Sequence, residues 1–278
     1  LMLFKKLVTL CVSIALLLSL LLVLNAGASN ISILINNAPF VASSDSFLVD
    51  GETYVPLKDF TYAINPEAQI DWDTISRKIS VYSHGMDIHL SYGEDYISVN
   101  GRYLYIPNGV FANNGVTYIQ LCGYAKALGA AAVWSQSLQS VYVSYSGTPL
   151  SLPGGAYDED DLYWLSRIIS AEARGEPLKG QIAVGNVVLN RVAYKSYPNT
   201  IRGVIFDKVS GIQFTPIANG SIYDEPTEKA VIAAKLVLDG ANTAGESLFF
   251  LNERTATSAW APRHRTYYAS IGNHNFYL

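Results

Sequence analysis

From Ile31 to Tyr145 short apolar-rich runs are separated by turns of Gly, Asn and Asp. Runs of four or five residues rich in Val, Ile and Tyr between such turns predict strands. They fall at Ile31 to Ile35, Tyr54 to Leu57, Lys78 to Tyr82, Tyr96 to Val99, Tyr103 to Ile106 and Val141 to Tyr145. Asn100-Gly101 between two of these runs is a hairpin signal, because both residues tolerate the positive φ that a tight turn demands. Asp50-Gly51-Glu52-Thr53-Tyr54-Val55-Pro56-Leu57 can be laid over Asn114-Gly115-Val116-Thr117-Tyr118-Ile119-Gln120-Leu121. Each copy runs on into a short helical stretch (Lys58 to Ile64, Gly123 to Leu128), then a Trp (Trp72, Trp134), then a strand, so the segment reads as an internal repeat.

Ser146 to Gly155 is rich in Ser, Gly and Pro, the composition of a linker. Beyond it the period changes to that of helices. Leu162, Leu165, Ile168 and Ile169 form one stripe, and Val184, Val187, Val188 and Val192 a second. A third helix is expected from Pro226, with Glu228 in its first turn and Gly240 as its stop. After Gly245 the chain reads as aromatic and loop-rich, apart from a strand at Leu248 to Leu251. The fold class is α+β: a small β-rich α+β repeat module over residues 29–145, a linker at 146–156 and a mostly helical domain over 157–278.

The N-terminal pattern changes this picture only by adding a compartment. Lys5 and Lys6 precede an apolar run from Leu7 to Leu24, and Ala26-Gly27-Ala28 supplies the small residues that signal peptidase accepts. A signal peptide over residues 1–28 is expected, and with it a secreted or wall-associated protein. Retention of the run as an uncleaved membrane anchor is the alternative. Of the two cysteines, Cys11 lies inside that run, so the mature chain keeps Cys122 alone and cannot form an internal disulfide. The formal net charge is −4, and loss of Lys5 and Lys6 makes it more acidic, which argues against a nucleic acid partner.

The segment with most chemistry is Ser170-Ala171-Glu172-Ala173-Arg174-Gly175-Glu176-Pro177, where an apolar helix ends in two carboxylates. Burial of Glu172 would raise its pKa and keep it protonated near neutrality, as protonation of a glycosidic oxygen requires. On spacing alone, a solvated helix end is the better reading.

The wider context reverses that preference. Glu172 to Val184, followed by Val188-Leu189-Asn190-Arg191-Val192, resembles the signature of the spore cortex-lytic, SleB-type cell wall hydrolases. Further matches follow in order: Tyr197 to Ile201, Val204-Ile205-Phe206, Gln213-Phe214, Ala233-Ala234 and Ile271 to Tyr277. The resemblance spans about Leu162 to Leu278. It implies a lysozyme-like domain that acts as a lytic transglycosylase between N-acetylmuramic acid and N-acetylglucosamine, in spore cortex lysis or wall remodelling, with Glu172 as general acid and no cofactor. Ala173 stands where many members have Ser. Glu176 reads as structural, its carboxylate favouring the start of the next helix.

The first half resembles the copper amine oxidase N-terminal-like module through its Gly-x-x-Tyr-Val/Ile-x-Leu and Trp landmarks. That name implies no copper chemistry: His84 and His89 lack a third ligand at close spacing, and no metal site is expected. Its expected role is contact with the wall or an accessory protein. The partner of the second half is the peptidoglycan glycan strand. Phe214 and Trp260 are the expected aromatic platforms for sugar rings. His274 is expected either to orient substrate or Glu172, or to be a packed, hydrogen-bonded histidine. A peptidoglycan amidase and a non-catalytic wall-binding protein are the rival readings.

Overall fold

The computed structural model describes residues 31–83, 85–137, 139–145, 157–209, 211, 213–252, 254, 256 and 260–278. The expected signal peptide, the linker at 146–156 and His84 lie outside the described residues. The chain is a mixed α+β protein that divides into two compact units. One joins the described residues up to Ala68 to those from Phe111 through the last strand before the linker; the other joins Gln69–Val110 to the C-terminal half. No described helix is long and apolar enough to cross a membrane.

The first unit holds β1 (Ser32–Ile35), β2 (Ala38–Pro39), β3 (Phe47–Val49), β4 (Glu52–Pro56) and α1 (Leu57–Ile64). After the excursion through the second unit come β10 (Val110–Asn113), β11 (Val116–Gln120), α2 (Leu121–Ala127), β12 (Ala130–Ser135) and β13 (Ser140–Tyr145). The sequence repeat becomes a paired structure. β3–β4 and β10–β11 are hairpins turned by Asp50-Gly51 and Asn114-Gly115, all four at positive φ. The two hairpins join through β4 and β11, which pair antiparallel with Ile119 opposite Val55. The repeated Tyr54 and Tyr118 are buried, packed with Phe47 and Phe111.

The second unit opens with a five-stranded antiparallel meander: β5 (Gln69–Asp73), β6 (Lys78–Ser83), β7 (Met86–Ser91), β8 (Tyr96–Val99) and β9 (Arg102–Tyr105). Ile79, Val81, Ile88, Leu90, Ile97 and Val99 alternate onto its buried face. Asn100-Gly101 turns β8 into β9 as expected, with φ of 50° and 81°. His89, on β7, pairs with Asp87 at 2.9 Å and contacts Ser80 at 3.0 Å.

The helical half follows as α3 (Glu159–Ala173), α4 (Leu178–Ala193), α5 (Ile201–Ile205), α6 (Thr215–Asn219) and α7 (Glu228–Leu238). The Asp158 carboxylate caps α3 by accepting from the Asp161 amide at 2.9 Å, and Glu159, Asp160 and Asp161 complement the positive end of the helix. Gly185 lets α4 sit tight in the bundle, since a Cβ there would meet Ile169 of α3 and Val237 of α7 at 2.9 Å. α7 starts later than expected: Thr227 is its cap, accepting from the Ala230 amide, and Pro226 lies before it. The C-terminal segment is more regular than its sequence suggests, because β14 (Phe249–Leu251) pairs with a hairpin of β15 (Tyr267–Ile271) and β16 (His274–Tyr277). A short helix α8 (Trp260–His264) precedes that hairpin.

Meander and helices are held together by a polar knot. Asp239, just past α7, receives Arg102 on one carboxylate oxygen, and the Tyr103 amide (2.7 Å) and Tyr157 hydroxyl (2.5 Å) on the other. Arg102 also lies 4.3 Å from the Tyr157 ring centre, and Lys235 5.0 Å from that of Tyr103. Around the knot Tyr96, Tyr103 and Tyr105 pack on the core of the helical half.

Candidate active site

Glu172 stands near the end of α3 and is linked through Arg191 to a cleft whose lining does not include Glu172 itself. Leu165, Ile168 and Ile169 anchor α3 in the core, which fixes the direction in which its last turn presents Glu172. The Glu172 side chain is half-buried. Burial pushes its carboxyl up to about 7, and the nearby Arg191 guanidinium partly offsets that rise by favouring the charged form. A carboxyl at that value is mostly protonated at slightly acidic pH and can give and regain a proton near neutrality.

Arg191 comes from the last turn of α4. The same face of that helix carries Asn186 and Asn190, whose amides donate to the carbonyls of Ala241, Gly245 and Ser247 at 2.7–2.9 Å. Arg191 Nε continues the row by donating to the Leu248 carbonyl at 2.8 Å. These bonds strap the loop after α7 onto α4 and deliver Phe249 to the side of Arg191. The guanidinium, 5% exposed as a residue, lies 5.1 Å from the Phe214 ring centre, 5.2 Å from that of Tyr197 and 5.5 Å from that of Phe249. Its Nη1 is buried without a hydrogen-bond partner among the described residues.

Arg191 also lines an open cleft of about 680 Å³, whose other walls include Tyr197, Asp207, Phe249, Trp260 and Arg265. Trp260 is 46% exposed there and stacks on His264 at 5.3 Å. Aromatic faces beside hydrogen-bonding groups suit a sugar, whose rings have apolar faces and polar rims.

Other expected residues sit elsewhere. Phe214 is 2% exposed and belongs to the core, against the expectation of a sugar platform; as the residue that opens α6, it turns inward and its ring supports Arg191 instead. His274, 6% exposed, lies behind Phe250 with ring centres 5.3 Å apart and does not line the cleft. Burial lowers its pKa and Glu176 opposes that. Glu176 does not cap α4. Its carboxylate accepts the Asn273 amide at 2.8 Å and the Asn273 side chain at 3.0 Å, tying the α3–α4 turn to the β15–β16 hairpin. Gly272 permits this approach, because a Cβ there would sit 1.9 Å from Glu176 Oε2.

Arg191 and Tyr197 were visible in the sequence only as parts of a motif, and Asp207 and Arg265 gave no sequence signal. A Trp260-based cleft needs the fold to assemble it. Among the described residues no group of three or more His, Cys, Asp or Glu is placed to hold a metal ion.

The family model for Cell Wall Hydrolase matches residues 175–277, and that for the Copper amine oxidase N-terminal domain matches residues 34–143. Glu172 lies three residues before the first of these matches. The spore cortex-lytic enzyme of Bacillus cereus is 40% identical over 126 residues, covering 45% of this chain and 47% of the relative. That of Bacillus subtilis is 39% identical over 110 residues, covering 40% and 35%. The chain thus spans about half, or less, of the length of these curated relatives. Among solved structures, the catalytic domain of the germination-specific lytic transglycosylase SleB from Bacillus anthracis is 39% identical, covering 45% of this chain and 98% of that one, with a TM-score of 0.41.

Proposed function

The C-terminal domain of this chain belongs to the cell wall hydrolase family, and from that premise we propose a peptidoglycan-cleaving glycosidase of the lytic transglycosylase type. The bond cut is the one between N-acetylmuramic acid and N-acetylglucosamine, and the setting is spore cortex lysis or wall remodelling outside the cell. The observation that carries this reading is the half-buried Glu172 carboxyl, raised to about 7, beside an arginine that lines an aromatic cleft. The name of the relatives, spore cortex-lytic enzyme, supports the setting.

Protonated Glu172 gives its proton to the leaving glycosidic oxygen as the bond to C1 breaks. The C6 hydroxyl of the same muramic residue then closes on C1, and the Glu172 carboxylate takes the hydroxyl proton. One carboxyl thus serves both steps, whereas ordinary retaining and inverting glycosidases use two. Arg191 steadies the carboxylate in the interval between the two transfers.

An amidase would use zinc or a thiolate. The second half of the chain has no cysteine, and its histidines are His264, stacked on Trp260, and His274, buried behind Phe250. The copper amine oxidase N-terminal domain is proposed to contact the wall or an accessory protein, without a part in bond cleavage.

The test is Glu172→Gln in the full chain on purified peptidoglycan. Shape and burial are kept and the proton is lost, so turnover falls by about 10²–10⁴ with folding intact. Near-normal digestion of the wall by this variant would overturn the assignment.

A further inference from the structure

The cleft carries more positive charge than a neutral sugar chain requires. Arg265 follows α8 and lies over two of the aromatic walls, 4.6 Å from the Phe249 ring centre and 5.0 Å from that of Trp260. Arg191 approaches the same Phe249 ring at 5.5 Å, so one ring serves both guanidinium groups. Asp207 is the one acid among the described residues that line the cleft, and one of its oxygens is engaged by the Val209 amide at 2.9 Å. The chain as a whole has net charge −4, yet these lining residues carry two positive charges and one negative.

The two arginines differ in what they can do. Arg191 is nine-tenths buried, with its Nε committed to Leu248 and its Nη1 enclosed, so it acts on a ligand through its field. Arg265 is exposed, and its guanidinium lies over the Phe249 and Trp260 rings, which hold it at the mouth of the cleft while its N–H groups face a ligand there. The guanidinium fork matches a carboxylate. N-acetylglucosamine has no charge, whereas N-acetylmuramic acid bears a lactyl ether that ends in a carboxyl, either free or continued as a stem peptide with carboxylates of its own.

Resting on the glycosidase reading, we propose that this cleft is a subsite for the carboxylate-bearing sugar of the glycan, with Arg265 as the residue that selects it. The aromatic walls take the ring, and Arg265 takes the carboxylate with Arg191 behind it.

The test measures binding by calorimetry, with the full chain and three small ligands that lack the scissile bond. The first is N-acetylglucosaminyl-N-acetylmuramic acid with a free lactyl carboxyl. The second is the same disaccharide carrying a stem peptide, and the third is neutral di-N-acetylchitobiose. The acidic disaccharide is expected to bind at least about tenfold more tightly than the neutral one, as one charge-assisted hydrogen bond would give. Arg265→Gln removes this difference and leaves the affinity for chitobiose within about twofold. Raising salt weakens the acidic ligand selectively. If the peptide-bearing disaccharide loses the advantage, the lactyl carboxyl is the group recognised; if it keeps or increases it, a stem-peptide carboxylate is. Equal affinity for neutral and acidic ligands, or an Arg265→Gln variant that keeps the preference, overturns the proposal. Either result leaves wall cleavage by Glu172 untouched, and failure of the glycosidase reading would appear instead as a chain that binds sugars but leaves peptidoglycan intact.

Discussion

Two pH effects of the same direction meet in Glu172. Catalysis begins from the protonated acid, so kcat/KM falls as pH rises through about 7, with the slope of one proton. Stability moves with the same group. Its folded value lies above the ordinary 4.5, so the folded chain holds this proton where the unfolded chain has released it. The favourable contribution is complete below about 4.5 and is lost as pH rises through about 7. Glu172→Gln removes the cost of the buried charge. The variant is therefore expected to be more stable than the parent at pH 8, by on the order of 1–3 kcal/mol, with a gap that narrows towards pH 4. Thermal unfolding at both pH values checks this, and a variant less stable at pH 8 would contradict it. Arg191→Met acts in the other direction on the acid, moving the fall in kcat/KM to higher pH because the charge that favours the carboxylate is gone.

Among the elements, the β15–β16 hairpin depends on a contact that its own sequence does not announce. Gly272 stands at φ 61°, and a Cβ there would run into the Glu176 carboxylate. Gly272→Ala is expected to cost about 2–4 kcal/mol, from backbone strain together with displacement of a buried carboxylate from its hydrogen bonds. Denaturant unfolding measures it, and a loss below about 0.5 kcal/mol would count against the clamp. Local elements were readable where local chemistry decides them. Asn100-Gly101 specified its hairpin, and the stripe from Leu162 to Ile169 specified α3, because turn φ values and helical periodicity are written into adjacent residues. After Gly245 the strand at Leu248 to Leu251 was readable and is β14, whereas β15 and β16 were not, since they form against it at a distance and their aromatic runs show no clean alternation. Phe214 departs from its expected role for a related reason: its sequence neighbours are polar, but the ring turns inward and is 2% exposed under Arg191. Glu172 and the flanking motif were legible, whereas the cleft drew on Arg191, Asp207 and Arg265 from separate elements that only the fold joins.

At the scale of the molecule, the meander of Gln69–Val110 forms one compact unit with the helices that carry Glu172. A family match over residues 34–143 therefore does not mark a single mechanical body. The joint is Asp239, a carboxylate 4% exposed that receives three donors, and its removal takes away the acceptor that all three share. Asp239→Ala is expected to destabilise meander and helices together by about 3–5 kcal/mol. Hydrogen exchange would then quicken in both β9 and α7, and acceleration in one alone would contradict the shared unit.

The central claim concerns the bond and the fate of its C1 carbon, and the newly formed glycan ends report on both. Peptidoglycan digested by the full chain is treated with borohydride and its fragments are weighed by mass spectrometry. Closure of the C6 hydroxyl on C1 predicts muramic ends lighter by one water and resistant to reduction, absent from a Glu172→Gln digest. Reducible N-acetylmuramic acid as the main new end would contradict the account.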